Sequence, residues 1–294
     1  MRRLLRIVLI SYGLVIILLG FFQRRLLYHP RKSDNLPVAQ FRDTTSIFPA
    51  ASDVEIRCED GVTIRGWLLQ KERIAPKTDP VTRPLVIFYH GNAGNRAGRV
   101  GWYHIFANAG ADVLAIDYHG YGDSDGNMTE SAMEIDCDVT WKYATTVAGY
   151  KPQDIIIVGT SLGGAAAVIT ASSHTKPGDT PAGMMIVASF SSMVDVASSL
   201  YPWLPVRAVL VDRYPSDERI GSVTCPVTIL HGDEDSLVHQ QFGRKLFDAA
   251  PEQAVDGTPK TWVSMGKVNH NNLTENGHRF VVSAIRELVQ HWQQ

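Results

Sequence analysis

The sequence has few cysteines and almost no net charge. It contains three cysteines in 294 residues, and 28 Lys and Arg stand against 30 Asp and Glu, a formal net charge of −2. The cysteines form no CxxC pair and no zinc-ligand spacing, and an odd number cannot complete a disulfide framework. The balanced charge offers no basic surface for nucleic acid. These absences exclude a disulfide-stapled scaffold and a nucleic-acid-binding protein.

The composition that is present is typical of a globular protein. Hydrophobic residues make up 45% of the chain and charged residues 20%, which is enough apolar material for a full core. Disorder, collagen and coiled coil are therefore excluded. The chain has no internal repeat, and its length suits one large α/β domain or two small domains.

One long hydrophobic run lies at the N-terminus. Residues 7–22 carry no charge, with three arginines before the run and two after it. As a helix the run spans roughly 24 Å, a little less than a bilayer core of about 30 Å. A cleaved signal peptide would need small residues after the run, but the first alanine of the chain is Ala39. We predict an uncleaved single-pass anchor over residues 1–25; a signal peptide and a buried helix are the alternatives. Basic residues at both ends leave the orientation open.

The rest of the chain alternates between strand and helix patterns. Residues 26–50 contain three prolines, and we predict that they form a tether. We predict that residues 51–294 form the main domain. Residues 54–69 predict a β-hairpin with a primed turn at Asp60-Gly61, and residues 71–83 predict a loop. Short apolar runs then predict strands at 85–89, 113–116, 155–158, 184–187, 227–230 and 262–265. Helix-length segments between them, at 97–109, 129–148, 162–173, 239–249 and 276–292, predict an α/β fold with a mostly parallel sheet.

The pattern G-x-S-x-G occurs twice, around Ser124 and around Ser161. A nucleophile elbow needs a strand, one sharp turn and then a helix, so that the serine hydroxyl projects from the top of the sheet. Ser161 has this context, because an apolar strand pattern precedes it and a helix pattern with small residues follows. Ser124 lies in a polar loop without an adjoining strand. We therefore predict that Ser161 is the nucleophile.

A serine nucleophile needs a base, and the base needs an orienting acid. In the fold that carries this elbow, the acid and then the histidine follow the serine along the chain. Asp235 follows the strand at 227–230 and is the predicted acid, with Asp233 as the alternative or as a turn former. His270 lies in the polar loop before the final helix and is the predicted base, with His278 as the alternative.

Acyl transfer also needs hydrogen-bond donors for the oxyanion. One donor is expected to be the backbone N–H of Leu162, directly after the nucleophile. The second is expected in the loop His90-Gly-Asn-Ala-Gly94, where we predict the backbone N–H of Asn92, with Ala93 as the alternative. A glycine-rich connection without a catalytic role would have the same sequence.

These motifs resemble those of the α/β-hydrolase superfamily. The sequence is most similar to its membrane-anchored α/β-hydrolase-domain branch, which resembles serine aminopeptidases and monoacylglycerol-lipase-like hydrolases. The matching segments run in family order over roughly residues 26–292: Phe88-Tyr-His-Gly-Asn-Ala-Gly-Asn, Asp117-Tyr-His-Gly-Tyr-Gly-Asp-Ser-Asp-Gly, Gly159-Thr-Ser-Leu-Gly-Gly, Leu230-His-Gly-Asp-Glu-Asp-Ser-Leu-Val and Asn269-His-Asn-Asn.

The resemblance implies an α/β-hydrolase fold with a short cap at about 189–224. It also implies a triad of Ser161, Asp235 and His270, and a structural loop around Ser124. The sequence departs from the family pattern at His119, where relatives usually carry Arg. This difference puts in doubt an ion pair that relatives form in that loop.

These observations predict a serine hydrolase that cleaves an ester or thioester through an acyl-enzyme. A peptidase or amidase on the same residues is the alternative, and a non-catalytic binding scaffold is a third reading. The predicted partners are a small or lipid-like acyl substrate and the membrane, with no nucleic acid. No cofactor is predicted. No metal is predicted either, because Met128 stands where the glycine of a calcium loop would be.

Overall fold

A computed structural model describes residues 1–72 and 83–294, and most of the predicted loop at 71–83 lies outside the described residues. The strands are β1 (His29–Pro30), β2 (Ser52–Arg57), β3 (Thr63–Leu69), β4 (Leu85–Tyr89), β5 (Ala93–Gly94), β6 (Asp112–Asp117), β7 (Ile155–Thr160), β8 (Gly183–Val187), β9 (Val227–Gly232) and β10 (Thr261–Met265). The α-helices are α1 (Arg2–Leu27), α2 (Arg42–Ile47), α3 (Val100–Asn108), α4 (Glu130–Lys142), α5 (Leu162–Ser173), α6 (Met193–Leu200), α7 (Val206–Val209), α8 (Ser216–Arg219), α9 (Gln240–Ala249) and α10 (His278–Trp292).

The strands form one large sheet and one small one. Eight strands pair in the order β10-β9-β8-β7-β4-β6-β3-β2. The six strands from β10 to β6 pair in parallel, and β3 and β2 add an antiparallel edge. Helical crossovers between parallel strands cover both faces of the sheet. The predicted fold class, a mostly parallel sheet flanked by helices, is confirmed.

Side chains of each central strand enter two separate cores. In β7, Ile155 and Ile157 belong to one hydrophobic cluster, whereas Ile156 and Val158 belong to the cluster on the opposite face. This division follows from the two-residue period of a strand. All six residues of β7 are buried, which explains why the segment has a continuous apolar run rather than an alternating one.

The predicted hairpin at 54–69 is present, but its turn differs from the expectation. Strand β2 ends at Arg57 and β3 begins at Thr63, so five residues connect them. Gly61 has φ 89°, and its N–H donates to the carbonyl of Cys58. Asp60 is not among the residues with positive φ. The turn is therefore not of the primed type, which places both or the first of two central residues at positive φ.

The segment predicted as a tether, residues 26–50, packs onto the domain instead. Its strand β1 pairs in parallel with β5, and the indole Nε1 of Trp67 donates to the carbonyl of Leu36 at 2.8 Å. Phe48 is fully buried. The prolines that suggested a linker separate short packed pieces, because the apolar residues among them find partners only in the folded domain.

The chain between β8 and β9 contains helices α6, α7 and α8. It spans the residues, about 189–224, for which the resemblance implies a cap, and this stretch is called the cap below. Among the described residues, α1 is the one helix long and apolar enough to cross a membrane.

Candidate active site

Ser161 occupies a sharp turn between β7 and α5. Its backbone has φ 51° and ψ −119°, a conformation that L-residues rarely adopt. The N–H of Ser161 donates to the carbonyl of Val187 at 2.9 Å, and its own carbonyl accepts from the hydroxyl of Ser189 at 2.7 Å. These bonds hold a strained residue in place, as expected at a functional position.

The glycines around Ser161 make this turn possible. A Cβ atom at Gly159 would lie 2.1 Å from the carbonyl oxygen of Gly163, and one at Gly163 would lie 2.1 Å from that of Tyr89. Both distances are below any real contact, so a side chain at either position would separate α5 from the sheet. The G-x-S-x-G spacing therefore serves close packing of helix against strand.

Asp235 and His270 meet Ser161 in the structure. The Nε2 atom of His270 lies 3.0 Å from the hydroxyl oxygen of Ser161, and its Nδ1 lies 2.7 Å from Oδ2 of Asp235. The three residues lie on different elements: Ser161 precedes α5, Asp235 follows β9, and His270 follows β10. Parallel strands end at the same edge of the sheet, and that edge brings the side chains together.

The environment of Asp235 favours its ionised form. Burial alone would raise its pKa, but hydrogen bonds from His231 and His270 and from the backbone hold the pKa well below its usual range. Its Oδ1 accepts from the N–H groups of Leu237 and Val238 at 3.0 and 2.8 Å. A fixed carboxylate is thus available to orient the imidazole of His270.

His231 is a neighbour of this site that the sequence analysis did not identify. Its Nε2 lies 2.7 Å from the carbonyl of Val238 and 3.5 Å from Oδ2 of Asp235. A Cβ at Gly243 would lie 2.2 Å from its Nδ1, so α9 passes directly over the ring. The signal in the sequence is a histidine at the end of a buried strand, four residues before the acid.

The two alternative residues lie elsewhere. Oδ1 of Asp233 accepts from the N–H of Lys267 at 2.8 Å, so Asp233 holds the start of the loop that carries His270. His278 is exposed at the first residue of α10, rather than one or two turns into the helix. Within the described residues, Ser161 forms its side-chain hydrogen bond with His270 and with neither of these two side chains.

Ser124, in the second G-x-S-x-G copy, is buried in a hydrogen-bonded loop. Its hydroxyl donates to the carbonyl of Asp117 at 2.7 Å and accepts from the N–H of Arg65 at 2.8 Å. Both hydrogen-bonding directions are used to tie the loop to β3 and β6, which leaves this serine a structural position.

The loop after β4 lies beside Ser161. A Cβ at Gly91 would be 3.5 Å from the Cβ of Ser161, so the peptide between Gly91 and Asn92 is close to the serine. The side chain of Asn92 is also bonded: its Nδ2 donates to the carbonyl of Leu27, and its Oδ1 accepts from the hydroxyl of Tyr121 at 2.8 Å. The sequence analysis did not foresee this contact between the loop and the end of α1.

A buried ionic network packs against the loop that carries Asn92. Nε2 of His90 lies 3.0 Å from Oδ1 of Asp117, and the guanidinium of Arg96 contacts the carboxylates of both Asp117 and Asp123. Burial would lower the pKa of Arg96, but these two carboxylates raise it. Charges paired in this way are costly to disturb, so the network fixes the position of the loop.

His119 pairs with two carboxylates, although the family pattern has Arg at this position and the histidine put an ion pair in doubt. Its Nδ1 lies 2.6 Å from Oδ1 of Asp136 and its Nε2 lies 3.0 Å from Oδ2 of Asp60. With Cys58 and Asp136 it also forms a group whose donor types could hold a metal ion. Both ring nitrogens already contact carboxylates, however, and this geometry favours an imidazolium over a metal ligand.

The chain is similar to known proteins in both sequence and fold. A family model described as alpha/beta hydrolase fold matches residues 84–210. Uncharacterized protein Rv2307c of Mycobacterium tuberculosis is 33% identical over 283 residues, which cover 96% of this chain and 92% of that protein. Lysophosphatidylserine lipase ABHD12 of Danio rerio is 32% identical over 192 residues, covering 60% of this chain and 50% of the lipase. A crystal structure of an α/β hydrolase from Vibrio vulnificus matches with a TM-score of 0.65 at 18% identity, over 90% of this chain and 96% of that one.

The chain therefore belongs to the α/β-hydrolase family, and its N-terminal apolar helix is consistent with the membrane-anchored, ABHD-type branch. The resemblance inferred from the sequence motifs is confirmed. The protein is therefore assigned to the hydrolases by its family.

Proposed function

We propose that the protein is a membrane-anchored serine hydrolase that cleaves the acyl ester of a lipid-like substrate through an acyl-enzyme. The observation that carries the proposal is the chain of contacts from Ser161 through His270 to Asp235, with distances of 3.0 and 2.7 Å. This is the arrangement by which a weakly nucleophilic hydroxyl is activated. A thioester is a substrate of the same chemical class.

In the first half-reaction, Nε2 of His270 accepts the proton of the Ser161 hydroxyl as the oxygen attacks the substrate carbonyl carbon. Negative charge develops on the carbonyl oxygen, and the N–H groups of Leu162 and Asn92 are the proposed donors to it. Leu162 is the first residue of α5, where backbone N–H groups have no partner inside the helix. The tetrahedral species then expels the alcohol, which takes its proton from His270.

In the second half-reaction, a water molecule attacks the acyl-Ser161 carbonyl and gives its proton to His270. Collapse of the second tetrahedral species releases the carboxylic acid and returns the proton to Ser161. The ionised carboxylate of Asp235 keeps the Nδ1 proton on His270 and stabilises the imidazolium in both half-reactions.

Two observations favour a lipid-like substrate. The N-terminal apolar helix would keep the domain at a membrane, where lipid esters are concentrated. A relative that covers part of this chain has a name that describes a lipase acting on lysophosphatidylserine. We therefore propose an acyl lipid with one chain as the substrate class.

The test of the nucleophile uses the two G-x-S-x-G serines as a matched pair. We expect Ser161→Ala to abolish labelling by a fluorophosphonate probe and hydrolysis of p-nitrophenyl esters. Ser124→Ala should keep its labelling per folded molecule, although it loses about 1–3 kcal/mol of stability because the N–H of Arg65 loses its acceptor. Full labelling of folded Ser161→Ala would refute the assignment, and preferred cleavage of aminoacyl amides over esters would favour a peptidase.

A further inference from the structure

A segment of the cap has an apolar surface that the domain does not cover. Residues 200–211, here called the apolar cap segment, contain Arg207 as their single charged residue. Its large exposed apolar side chains are Leu200, Tyr201, Trp203 and Val211, with exposed fractions of 45, 49, 56 and 59%. A cluster of exposed apolar side chains of this kind marks an interaction surface.

The apolar cap segment lies along helix α1. The hydroxyl of Tyr12 donates to the carbonyl of Trp203 at 2.7 Å. Eleven residues further along α1, the side-chain oxygen of Gln23 accepts from the N–H of Val211 at 2.8 Å, and its amide donates to the carbonyl of Val209 at 3.2 Å. From Gly13 onward, the partly buried positions of α1 repeat every three or four residues, which is one face of a helix: Gly13, Ile16, Leu19, Gly20, Gln23 and Leu27.

This contact limits how α1 can sit in a bilayer. The part of the helix beyond the cap, residues 2–11, is exposed on all sides and is about 15 Å long at about 1.5 Å per residue. A bilayer core is about 30 Å thick, so residues 2–11 cannot cross it alone. Any placement in which the apolar residues 7–22 of α1 lie in hydrocarbon also places the cap residues beside them there.

Charged groups mark the boundary of this apolar region. Arg24 pairs with Asp212 at 2.9 Å, and Asp212 also accepts from the hydroxyl of Tyr28 at 3.0 Å. This pair lies at the end of both α1 and the apolar cap segment, where each chain turns polar. Arg207 lies 4.0 Å from Asp195 of α6, and its long side chain can keep its charge out of hydrocarbon.

We propose that the apolar cap segment inserts into the lipid bilayer beside α1, so that the cap and the anchor form one membrane-embedded surface. The inference rests on the membrane anchor of the proposed function. It also predicts the orientation of the catalytic edge: the loop of Asn92 contacts Leu27 at the end of α1, so this edge faces the membrane surface, where a lipid ester would arrive.

Spin labels at engineered cysteines test the insertion in the full-length protein. The native cysteines are all buried, so labels would report the engineered positions. We expect labels at Trp203→Cys and Val211→Cys, in phosphatidylcholine nanodiscs, to collide several-fold more with oxygen than with a water-soluble nickel chelate, relative to control labels. The controls are Val147→Cys and Val255→Cys, whose native side chains are 65 and 78% exposed on the domain surface.

A label at Leu9→Cys distinguishes failure of the cap insertion from failure of the membrane anchor. Labels at positions 203 and 211 that are as accessible to water as the controls, with a lipid-exposed label at position 9, would overturn the insertion and leave the anchor intact. A water-exposed label at position 9 would overturn both.

Hydrolysis provides a second test of the same surface. We expect Trp203→Glu and Val211→Glu to lower the rate on monoacylglycerol embedded in vesicles by about tenfold or more, because a carboxylate is unfavourable in the bilayer. Hydrolysis of soluble p-nitrophenyl acetate should be unchanged, as should both activities of Val255→Glu. An equal loss on both substrates, or no loss on either, would contradict the proposal. If the unsubstituted protein cleaves neither ester, the proposed function fails while the spin labels still decide the insertion.

Discussion

At the scale of single residues, the candidate site combines a strained Ser161 with the fixed side chains of Asp235 and His270. Ser161 is held at φ 51° by its neighbours, and Asp235 is held by two backbone N–H groups as well as by His231 and His270. The positions of both side chains are therefore set before any substrate binds. Such preorganisation is what an electrostatic contribution to catalysis requires.

Substitution of the base and the acid should have unequal effects. We expect His270→Ala to lower kcat for a small ester by on the order of 10⁶, because His270 is the one side chain of the described residues that forms a hydrogen bond with the hydroxyl of Ser161. Asp235→Asn should lower it by about 10⁴, since the imidazole remains but its orientation and tautomer change. Rates measured on purified, folded variants check both values.

The matched control for this series is His278→Ala, at the exposed start of α10. It should keep its activity and change stability by no more than about 0.5 kcal/mol. The double variant Ser161→Ala/His270→Ala should be little worse than either single variant, because members of a triad act as a unit. Losses that multiply in the double variant would show that the two residues act independently.

The sequence could select the three residues of the proposed triad because the family order and the strand ends are local patterns. Ser161, Asp235 and His270 each lie within five residues after an apolar strand pattern, and parallel strands bring such positions together. His231 could not be selected in this way, since its contact with Asp235 depends on how α9 crosses the strand at Gly243. The contact of Asn92 with Leu27 depends on two segments 65 residues apart, and no spacing rule predicts it.

At the scale of elements, long periodic segments were predictable and packed irregular ones were not. The predicted helix at 162–173 has the observed bounds of α5, and the predicted strand at 85–89 has those of β4. The predicted helix at 129–148 ends its α-helical part at Lys142 and continues as a π-helical turn over Tyr143–Val147. Residues 26–50 lack periodicity, and their packing depends on surfaces formed by distant strands.

The loop between β6 and α4 should make stability depend on pH through His119. Burial would lower the pKa of His119, but contacts with Asp136 and Asp60 raise it above its usual value. A raised pKa contributes stability that is complete below the unfolded value of about 6.5 and is lost as the pH rises through the folded value. The melting-temperature difference between the unsubstituted protein and His119→Gln should therefore be largest in mild acid and decrease at higher pH.

His104→Gln is the control for this measurement, because His104 is exposed on α3. Its melting temperature should follow that of the unsubstituted protein at every pH. A difference for His119→Gln that stays constant or grows as the pH rises would contradict a charged imidazole between the two carboxylates.

At the scale of the whole molecule, the end of α1 links the proposed membrane anchor to the loop of Asn92, the proposed oxyanion donor. Two sets of contacts meet there. Gln23 and Arg24 bind the cap, whereas Leu27 and His29 bind the loop after β4 through the side chain of Asn92 and the pairing of β1 with β5. The anchor can therefore be removed in two places with different consequences.

A fragment that begins at Leu26 should leave the membrane fraction and still hydrolyse small esters. It loses the bonds of Gln23 and Arg24 to the cap, but the buried carboxylate of Asp212 keeps the hydroxyl of Tyr28, so the cost should be about 1–3 kcal/mol. A fragment that begins at Arg31 also loses Leu27, Tyr28 and β1, and its kcat should fall because the loop of Asn92 loses its support. Sedimentation after a carbonate wash, thermal unfolding and ester kinetics on the full chain and both fragments check these outcomes.

Equal kcat for the two fragments would show that the end of α1 does not position the loop of Asn92. Recovery of the full chain as a soluble form that starts near residue 25 would replace the anchor with a signal peptide.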